Sequence, residues 1–167
     1  MNFELGKLFL LVIFFLAGCG PGVSDYSEKI GKTGLLFIDD GPLNRGIFKE
    51  SSDDGWEALI ESSVLFYRVY GKYVVGVRQV VNHYVCDSTR SDVEVTDRIE
   101  YFAIEVDKDS HHYGVQTFGT ILEFSVFMEG VELREQVSDY INASEFQEKM
   151  LPVSLLGECF SPRLVNG

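Results

Sequence analysis

The chain has 167 residues and a formal net charge of −12 at pH 7, because 26 acidic residues outnumber 14 lysines and arginines. A surface this acidic repels nucleic acid and anionic lipid headgroups, which require a basic patch, so we expect no nucleic-acid partner. The length suits one globular domain with a sizeable core. The negative charge then either keeps the protein soluble or forms an acidic face for a basic protein partner.

The first elements form a leader. Residues 8–16 are uninterrupted apolar side chains, preceded by Lys7 and followed by small residues. This order of basic start, apolar core and small residues is typical of a secretory signal. The apolar run is shorter than the roughly 20 residues of a permanent membrane helix. We therefore expect the leader to be removed.

Leu16, Ala17, Gly18 and Cys19 resemble the lipobox of bacterial lipoproteins. The resemblance implies that Cys19 receives a diacylglyceryl group, that the chain is cut between Gly18 and Cys19, and that the freed amine is acylated. Since two or three acyl chains suffice for stable anchoring, it implies a lipid bilayer as partner through acylated Cys19. Gly20 stands where an Asp signals inner-membrane retention, which favours the outer membrane, facing the periplasm, in a Gram-negative host. The alternative for this segment is a buried apolar strand or helix.

The sequence predicts three segments: a signal peptide over 1–18, a lipidated cysteine with a flexible tether over 19–33, and one globular domain over 34–167. Residues 20–32 are rich in Gly, Pro, Ser and charge without a sustained period, which indicates the tether. Removal of the leader leaves 149 residues. It takes away one lysine and one glutamate, so the net charge stays at −12.

Two cysteines remain once Cys19 is assigned to lipid. Cys86 and Cys159 form an even pair, and in an oxidising compartment such a pair is expected to be bonded. The alternative is two buried thiols, which a Gram-positive host would favour.

The first predicted strand covers 33–39 and ends at the turn signal of 39–42. Residues 43–57 are mixed, and 51–55 indicate a loop or a short helical turn before Trp56. The acidic pairs Asp39–Asp40 and Asp53–Asp54 do not complete the ligand spacing of a calcium loop.

Residues 59–85 are dense in β-branched and aromatic side chains and predict a hairpin that turns at 70–73. Alternation places Val64, Phe66, Arg68 and Tyr70 on one face. Both faces carry apolar residues, so the hairpin is expected in the centre of a sheet, covered on each side. Polar residues 86–98 predict a loop outside the sheet. Strands over 99–106 and 115–118 follow, joined by a turn at 107–112.

Two capping-box signatures predict two late helices. Thr120 and Glu123 have the required spacing before a helix over 121–129, and Ser144 and Gln147 repeat it before a helix that Pro152 ends. The predicted fold class is therefore α+β, a small antiparallel sheet of hairpins with two short C-terminal helices.

Residues that could carry chemistry are sparse. His83 and Cys86 have ligand-like spacing, and His111 and His112 lie in a predicted turn beside Asp107 and Asp109. Zinc needs three or four converging ligands, so solvated turn histidines are the favoured interpretation. The sequence contains no nucleophile elbow and no phosphate-binding loop. It does not decide whether a carboxylate pair for glycoside hydrolysis exists, because the spacing of such a pair depends on the fold. We expect no catalytic residues, no metal, no cofactor and no enzymatic activity.

Six tyrosines crowd the predicted sheet: Tyr67, Tyr70, Tyr73, Tyr84, Tyr101 and Tyr113. They indicate cross-strand packing, with an aromatic binding face as the alternative. The sequence thus predicts a non-enzymatic cell-envelope lipoprotein that binds a protein or an envelope component. The alternatives are an acidic inhibitor or immunity-type protein that captures a basic enzyme such as a lysozyme, and a hydrolase in an unrecognised fold.

Overall fold

The computed structural model describes residues 26–41, 43–51, 55–61, 63–86, 91–107, 109, 111–141, 146, 148–154 and 163–164. These residues contain nine strands: β1 Tyr26–Lys29, β2 Leu35–Asp39, β3 Arg45–Glu50, β4 Trp56–Ile60, β5 Val64–Tyr70, β6 Tyr73–Val85, β7 Ser91–Asp107, β8 His112–Phe118 and β9 Arg163–Leu164. They also contain helix α1 Ile121–Gly130, a 3₁₀ helix Arg134–Val137 and helix α2 Ser138–Ile141.

The strands form two antiparallel sheets rather than the single small sheet that we predicted. The first sheet has the order β1-β2-β3-β4, and the second has the order β5-β6-β7-β8, with β9 added beside β6. Sheet outweighs helix in the described residues, and the helices follow the long strands. The arrangement is compatible with the predicted α+β class.

Two apolar clusters hold three layers together. Between the two sheets lie Leu35, Ile47 and Ile60 from the first and Val74, Phe102 and Ile104 from the second. On the opposite face of the second sheet, Val75, Val77 and Tyr101 pack against Phe124 and Met128 of α1 and against Tyr140 of α2. The second sheet is therefore the central layer, and the first sheet and the helices cover its two faces.

A short connection joins the sheets. The first sheet ends at Ile60 and the second begins at Val64, and both side chains are buried in the same cluster. Ser63 has a left-handed φ of 54°, and its carbonyl accepts a hydrogen bond from the backbone N–H of Gln79 at 3.0 Å. This corner lets consecutive strands enter different sheets without a long loop.

The predicted hairpin is present as β5 and β6, with Gly71 in the turn at a φ of 59°. The predicted central position is confirmed for β6, which lies between β5 and β7. It is wrong for β5, which is the first strand in the order of the described sheet. A register shift between Val64 and Phe66 interrupts the predicted alternation. As a result Val64 packs between the sheets, while Phe66 packs toward the helices.

The predicted loop over 86–98 is wrong for its second half, because β7 already begins at Ser91. Residues 91–95 pair with the far end of β6, where Val95 lies opposite Val81 and Val93 opposite His83. Because charged residues surround these two valines, the sequence of this segment does not show the apolar alternation of a strand. The predicted strand over 99–106 is confirmed, with Phe102, Ile104 and Val106 on one face and Tyr101 and Ala103 on the other.

Strands also occur where none was predicted. The first, β1, lies inside the segment assigned to the tether, so the sheet begins at Tyr26, before the boundary predicted at residue 34. The mixed region 43–57 contains β3 and the start of β4. These strands carry polar side chains at their ends, which weakened their pattern.

The capping box at the start of α1 is confirmed. The Thr120 hydroxyl accepts from the backbone N–H of Glu123 at 3.2 Å, and the Glu123 carboxylate accepts from the N–H of Thr120 at 3.2 Å. The second predicted capping box falls on residues 144–147, which lie, apart from Phe146, outside the described residues.

A buried glutamine ties the C-terminal segment to the second sheet. Gln79 is 0 % exposed, and its side-chain amide donates to the carbonyls of Thr96 and Leu151 at 2.7 and 3.0 Å. Its side-chain oxygen accepts from the N–H of Leu151 at 2.7 Å. Every polar atom of the buried amide therefore has a partner, as burial in an apolar sheet requires.

Candidate functional site

The predicted lipidation and cleavage residues, Gly18 and Cys19, lie outside the described residues. Cys86 follows β6 and is disulfide-bonded. Its predicted partner, Cys159, also lies outside the described part of the chain. The pairing with Cys159 stays a prediction, favoured because β9, four residues beyond Cys159, pairs with Tyr84 and Val85 next to Cys86.

The histidines are kept apart by the sheet. His83 lies opposite Val93, near the far end of β6, whereas His111 ends the turn before β8 and His112 begins β8 opposite Asp107. The ten residue steps from Tyr73 to His83 span about 30 Å along a strand, so His83 cannot share one ion with His111 or His112. Within the described ranges no group of three or more His, Cys, Asp or Glu could hold a metal ion.

Most of the tyrosines singled out in the sequence serve packing. Tyr101 stacks on Phe124 with ring centroids 5.2 Å apart, and the ring of Tyr73 lies edge-on to that of Phe127 with centroids 5.9 Å apart. Tyr84 instead donates to the carboxylate of Glu94 at 3.0 Å. Tyr67 is different because it also lines a cleft.

This inter-sheet cleft has a volume of about 490 Å³ and lies between the edge of the first sheet and the start of β5. Its walls combine aromatic and charged side chains: Glu28, Phe37, Asp39, Arg45, Tyr67 and Lys149, beside Val64, Leu65 and Phe66. The ring of Phe37 lies 5.3 Å from that of Tyr67, so the two sheets meet there through aromatic contact.

Glu28 is the centre of the polar contacts in the cleft. The hydroxyl of Tyr26 donates to one carboxylate oxygen at 2.6 Å, and the hydroxyl of Tyr67 donates to the other. These two hydrogen bonds, the one from Tyr26 first, lower the pKa of Glu28. Burial, followed by the bond to Glu28, raises the pKa of Tyr67. Near neutral pH the carboxylate is therefore ionised and the phenol protonated.

An ion pair lies in the same cleft as this carboxylate. The Nε of Arg45 donates to a carboxylate oxygen of Asp39 at 3.1 Å, and the two residues occupy paired positions on β3 and β2. Lys149 contributes an exposed ammonium from the segment after Phe146. The cleft thus presents two carboxylates and two cations around an aromatic floor, an arrangement suited to holding a polar ligand by complementary contacts.

The sequence pattern does not predict this cleft. Glu28 was assigned to the tether, and Arg45 to a region without an element. The available signal was the alternation of Tyr26, Glu28 and Ile30 before Gly31, since Ile30 is buried and Gly31 turns the chain at a φ of 54°. Such a short strand carries too few apolar residues to identify itself.

None of the helices in the described part of the chain combines the length and the apolar character that a membrane crossing requires. No protein-family model matches the chain, and no curated protein or solved structure is significantly similar to it.

Proposed function

We propose that this protein is a lipoprotein of the bacterial cell envelope whose domain is a non-enzymatic binding module. In this proposal residues 1–18 are removed, and acyl chains on Cys19 hold the domain at the membrane, at the periplasmic face of the outer membrane in a Gram-negative host. The lipobox resemblance of residues 16–19 supports the anchor. The inter-sheet cleft supports the binding role, and its ligand is a protein or another envelope component.

The observation that carries the binding role is that the carboxylates of the cleft are held by hydrogen bonds, Glu28 by two tyrosine hydroxyls and Asp39 by Arg45. A general acid or base works best with a pKa near the operating pH. The lowered pKa of Glu28 and the raised pKa of Tyr67 move both groups away from neutrality. These groups are better suited to fixed hydrogen bonds with a bound partner than to proton transfer.

The anchor is tested by mass spectrometry of the mature full-length protein and by fractionation of membranes. We expect a terminus at Cys19 that carries acyl chains, and we expect Cys19→Ala to abolish both cleavage and membrane retention. Gly20→Asp is the matched control, because it leaves Cys19 intact and should keep the lipid while shifting the protein to the inner membrane of a two-membrane host. An intact Met1, or an unmodified Cys19, would contradict the anchor.

The binding role of the cleft is tested by photo-crosslinking in cells. A photoreactive residue in place of Lys149 lies at the cleft, and one in place of Leu122 lies on the exposed side of α1 as a control. We expect one discrete adduct from position 149 that the control does not form. Identical adducts from both positions, or none from either, would count against the cleft as the binding site.

A second candidate is an inhibitor or immunity-type protein, and the net charge of −12 favours it. Attraction between an acidic surface and a basic enzyme such as a lysozyme is screened by salt. This function predicts binding that weakens steeply as ionic strength rises. Binding that is insensitive to salt, or absent at low salt, would exclude it.

A further inference from the structure

Among the described residues, the first sheet has a second face that neither core cluster uses. Strand pairing places Leu36 beside Phe48, and Phe48 beside Ala58, while Ile38 and Trp56 extend the same face in two directions. We call these five residues the outer apolar face. Leu36, Ile38, Phe48 and Ala58 are half-buried, and the side chain of Trp56 is 51 % exposed.

The face contains shallow hollows instead of a deep pocket. Two of them, of about 340 and 330 Å³, share Ile38 and Asp40, and the second extends to Trp56. The ring of Phe48 covers the backbone at Gly46, where a Cβ would meet Phe48 Cε2 at 2.7 Å. A broad apolar surface with an exposed tryptophan is typical of an interaction surface, and tryptophan is enriched where membrane meets water.

The predicted lipid lies close in sequence to the first sheet, which favours a bilayer as the partner of the outer apolar face. Seven residue steps separate Cys19 from Tyr26, the first residue of β1, and at about 3.6 Å each they span at most about 25 Å. Leu36 and Ile38 lie on β2, the strand next to β1. An acyl chain on Cys19 would therefore hold Tyr26, in the first sheet, no more than about 25 Å from the bilayer, which places the outer apolar face within reach of it.

We propose that the outer apolar face rests on the surface of the bilayer that holds Cys19, with Trp56 at the level of the headgroups. This inference rests on the lipid anchor proposed above. Asp40 and Glu61 line a hollow of the face and Glu50 lies opposite Trp56, and these three carboxylates outnumber Lys29, which lies opposite Leu36. Because these carboxylates repel anionic headgroups, the surface that fits is a zwitterionic one.

The single tryptophan of the chain provides a specific test. The mature lipidated protein is reconstituted into phosphatidylcholine vesicles whose acyl chains are either ordinary or brominated near the headgroup. Bromine quenches fluorescence on contact, so we expect a loss of Trp56 emission in the brominated vesicles. Adding phosphatidylglycerol should reduce that loss, because the acidic border is then repelled.

Two variants control the measurement. Ile38→Glu places a charge in the middle of the outer apolar face and should restore the emission, whereas Leu122→Glu on the far helix should leave the quenching unchanged. Circular dichroism establishes that both variants are folded. If both variants restored the emission of Trp56, or if neither did, the result would contradict docking through this face.

The outcomes separate the two proposals. A protein that carries acyl chains and floats with the vesicles, yet emits equally in both kinds of vesicle, overturns docking and leaves the anchor intact. An emission that depends on protein concentration and ignores the brominated lipid assigns the face to a second copy and also overturns docking. A protein without acyl chains contradicts the anchor, and this inference falls with it.

Discussion

Gly76 is the glycine of the second sheet that leaves the least space for a side chain. A Cβ at Gly76 would lie 2.4 Å from the ring of Phe102 and 2.4 Å from the backbone carbonyl of Phe66. Phe102 is the cross-strand partner of Gly76 and is completely buried, so its ring is enclosed by other side chains and does not reach solvent. The glycine thus allows the aromatic ring to cover the backbone of β6.

We expect Gly76→Ala to destabilise the protein by about 1–3 kcal/mol, the usual effect of overpacking a core. Gly114→Ala in β8 is the matched control, because its nearest neighbour, Glu105 Cβ, is at 3.8 Å, an ordinary contact. Urea unfolding of the two variants measures the difference. Equal stabilities would show that the ring of Phe102 can move aside.

The polar contacts of the cleft also belong to the residue scale, and they were not predictable from sequence. Tyr67 and Glu28 are far apart along the chain, and they meet only because β1 and β5 lie in different sheets that pack together. The register shift between Val64 and Phe66 decides which face Tyr67 occupies. A strict alternation rule has no way to place such a shift.

At the scale of elements, α1 was predicted well because its signals are local. The capping box lies within four residues, and the helix buries Phe124 and Met128, one turn apart. Phe124 is 0 % exposed and contacts the rings of Tyr101, Phe118 and Tyr140. Leu122 on the same helix is 72 % exposed.

This contrast gives a test of the helical layer. Phe124→Ala should reduce stability by about 3–5 kcal/mol, because it leaves a cavity in a cluster of four aromatic rings. Leu122→Ala deletes an apolar side chain that is already exposed to solvent, so it should change the free energy of unfolding by less than about 0.5 kcal/mol. Thermal unfolding followed by near-ultraviolet circular dichroism compares them. A small effect of Phe124→Ala would mean that the helix does not cover the sheet as described.

Strands were predictable where both faces are apolar and obscure where one face is polar. Residues 99–106 carry Phe102, Ile104 and Val106 on one side and Tyr101 on the other, and β-branched and aromatic side chains identify a strand from sequence. Residues 91–98 alternate valine with charge and were assigned to a loop. Their structure depends on pairing with the far end of β6, which carries β9 at Tyr84 and Val85 on its other edge.

At the scale of the whole molecule, the division into two sheets depends on the corner between Ile60 and Val64. No local pattern distinguishes a corner from an ordinary hairpin turn, because both are short and polar. The layering of two sheets and helices follows from which apolar faces meet, which is a property of the folded chain. The sequence therefore supports the broad class but leaves the number of sheets undetermined.

The disulfide at Cys86 also affects the stability of the whole molecule. If its partner is Cys159, it closes a loop of about seventy residues and contributes about 4 kcal/mol on the chain-entropy estimate. We expect reductant to lower the stability of the wild-type protein in urea and to leave Cys86→Ala unaffected. A non-reduced digest that links Cys86 to Cys19, or a wild-type protein indifferent to reductant, would contradict this pairing.

The direction in which β1 enters the first sheet has a mechanical consequence. Tyr26 pairs with Asp39 at the open end of the β1–β2 hairpin, and the turn lies at the opposite end. In an anchored protein any pulling force from the membrane would reach the domain at that open end. The cross-strand pairs would then bear the load one at a time, beginning with Tyr26 and Asp39. The hairpin would peel away from its end under far less tension than shearing all four pairs together would need.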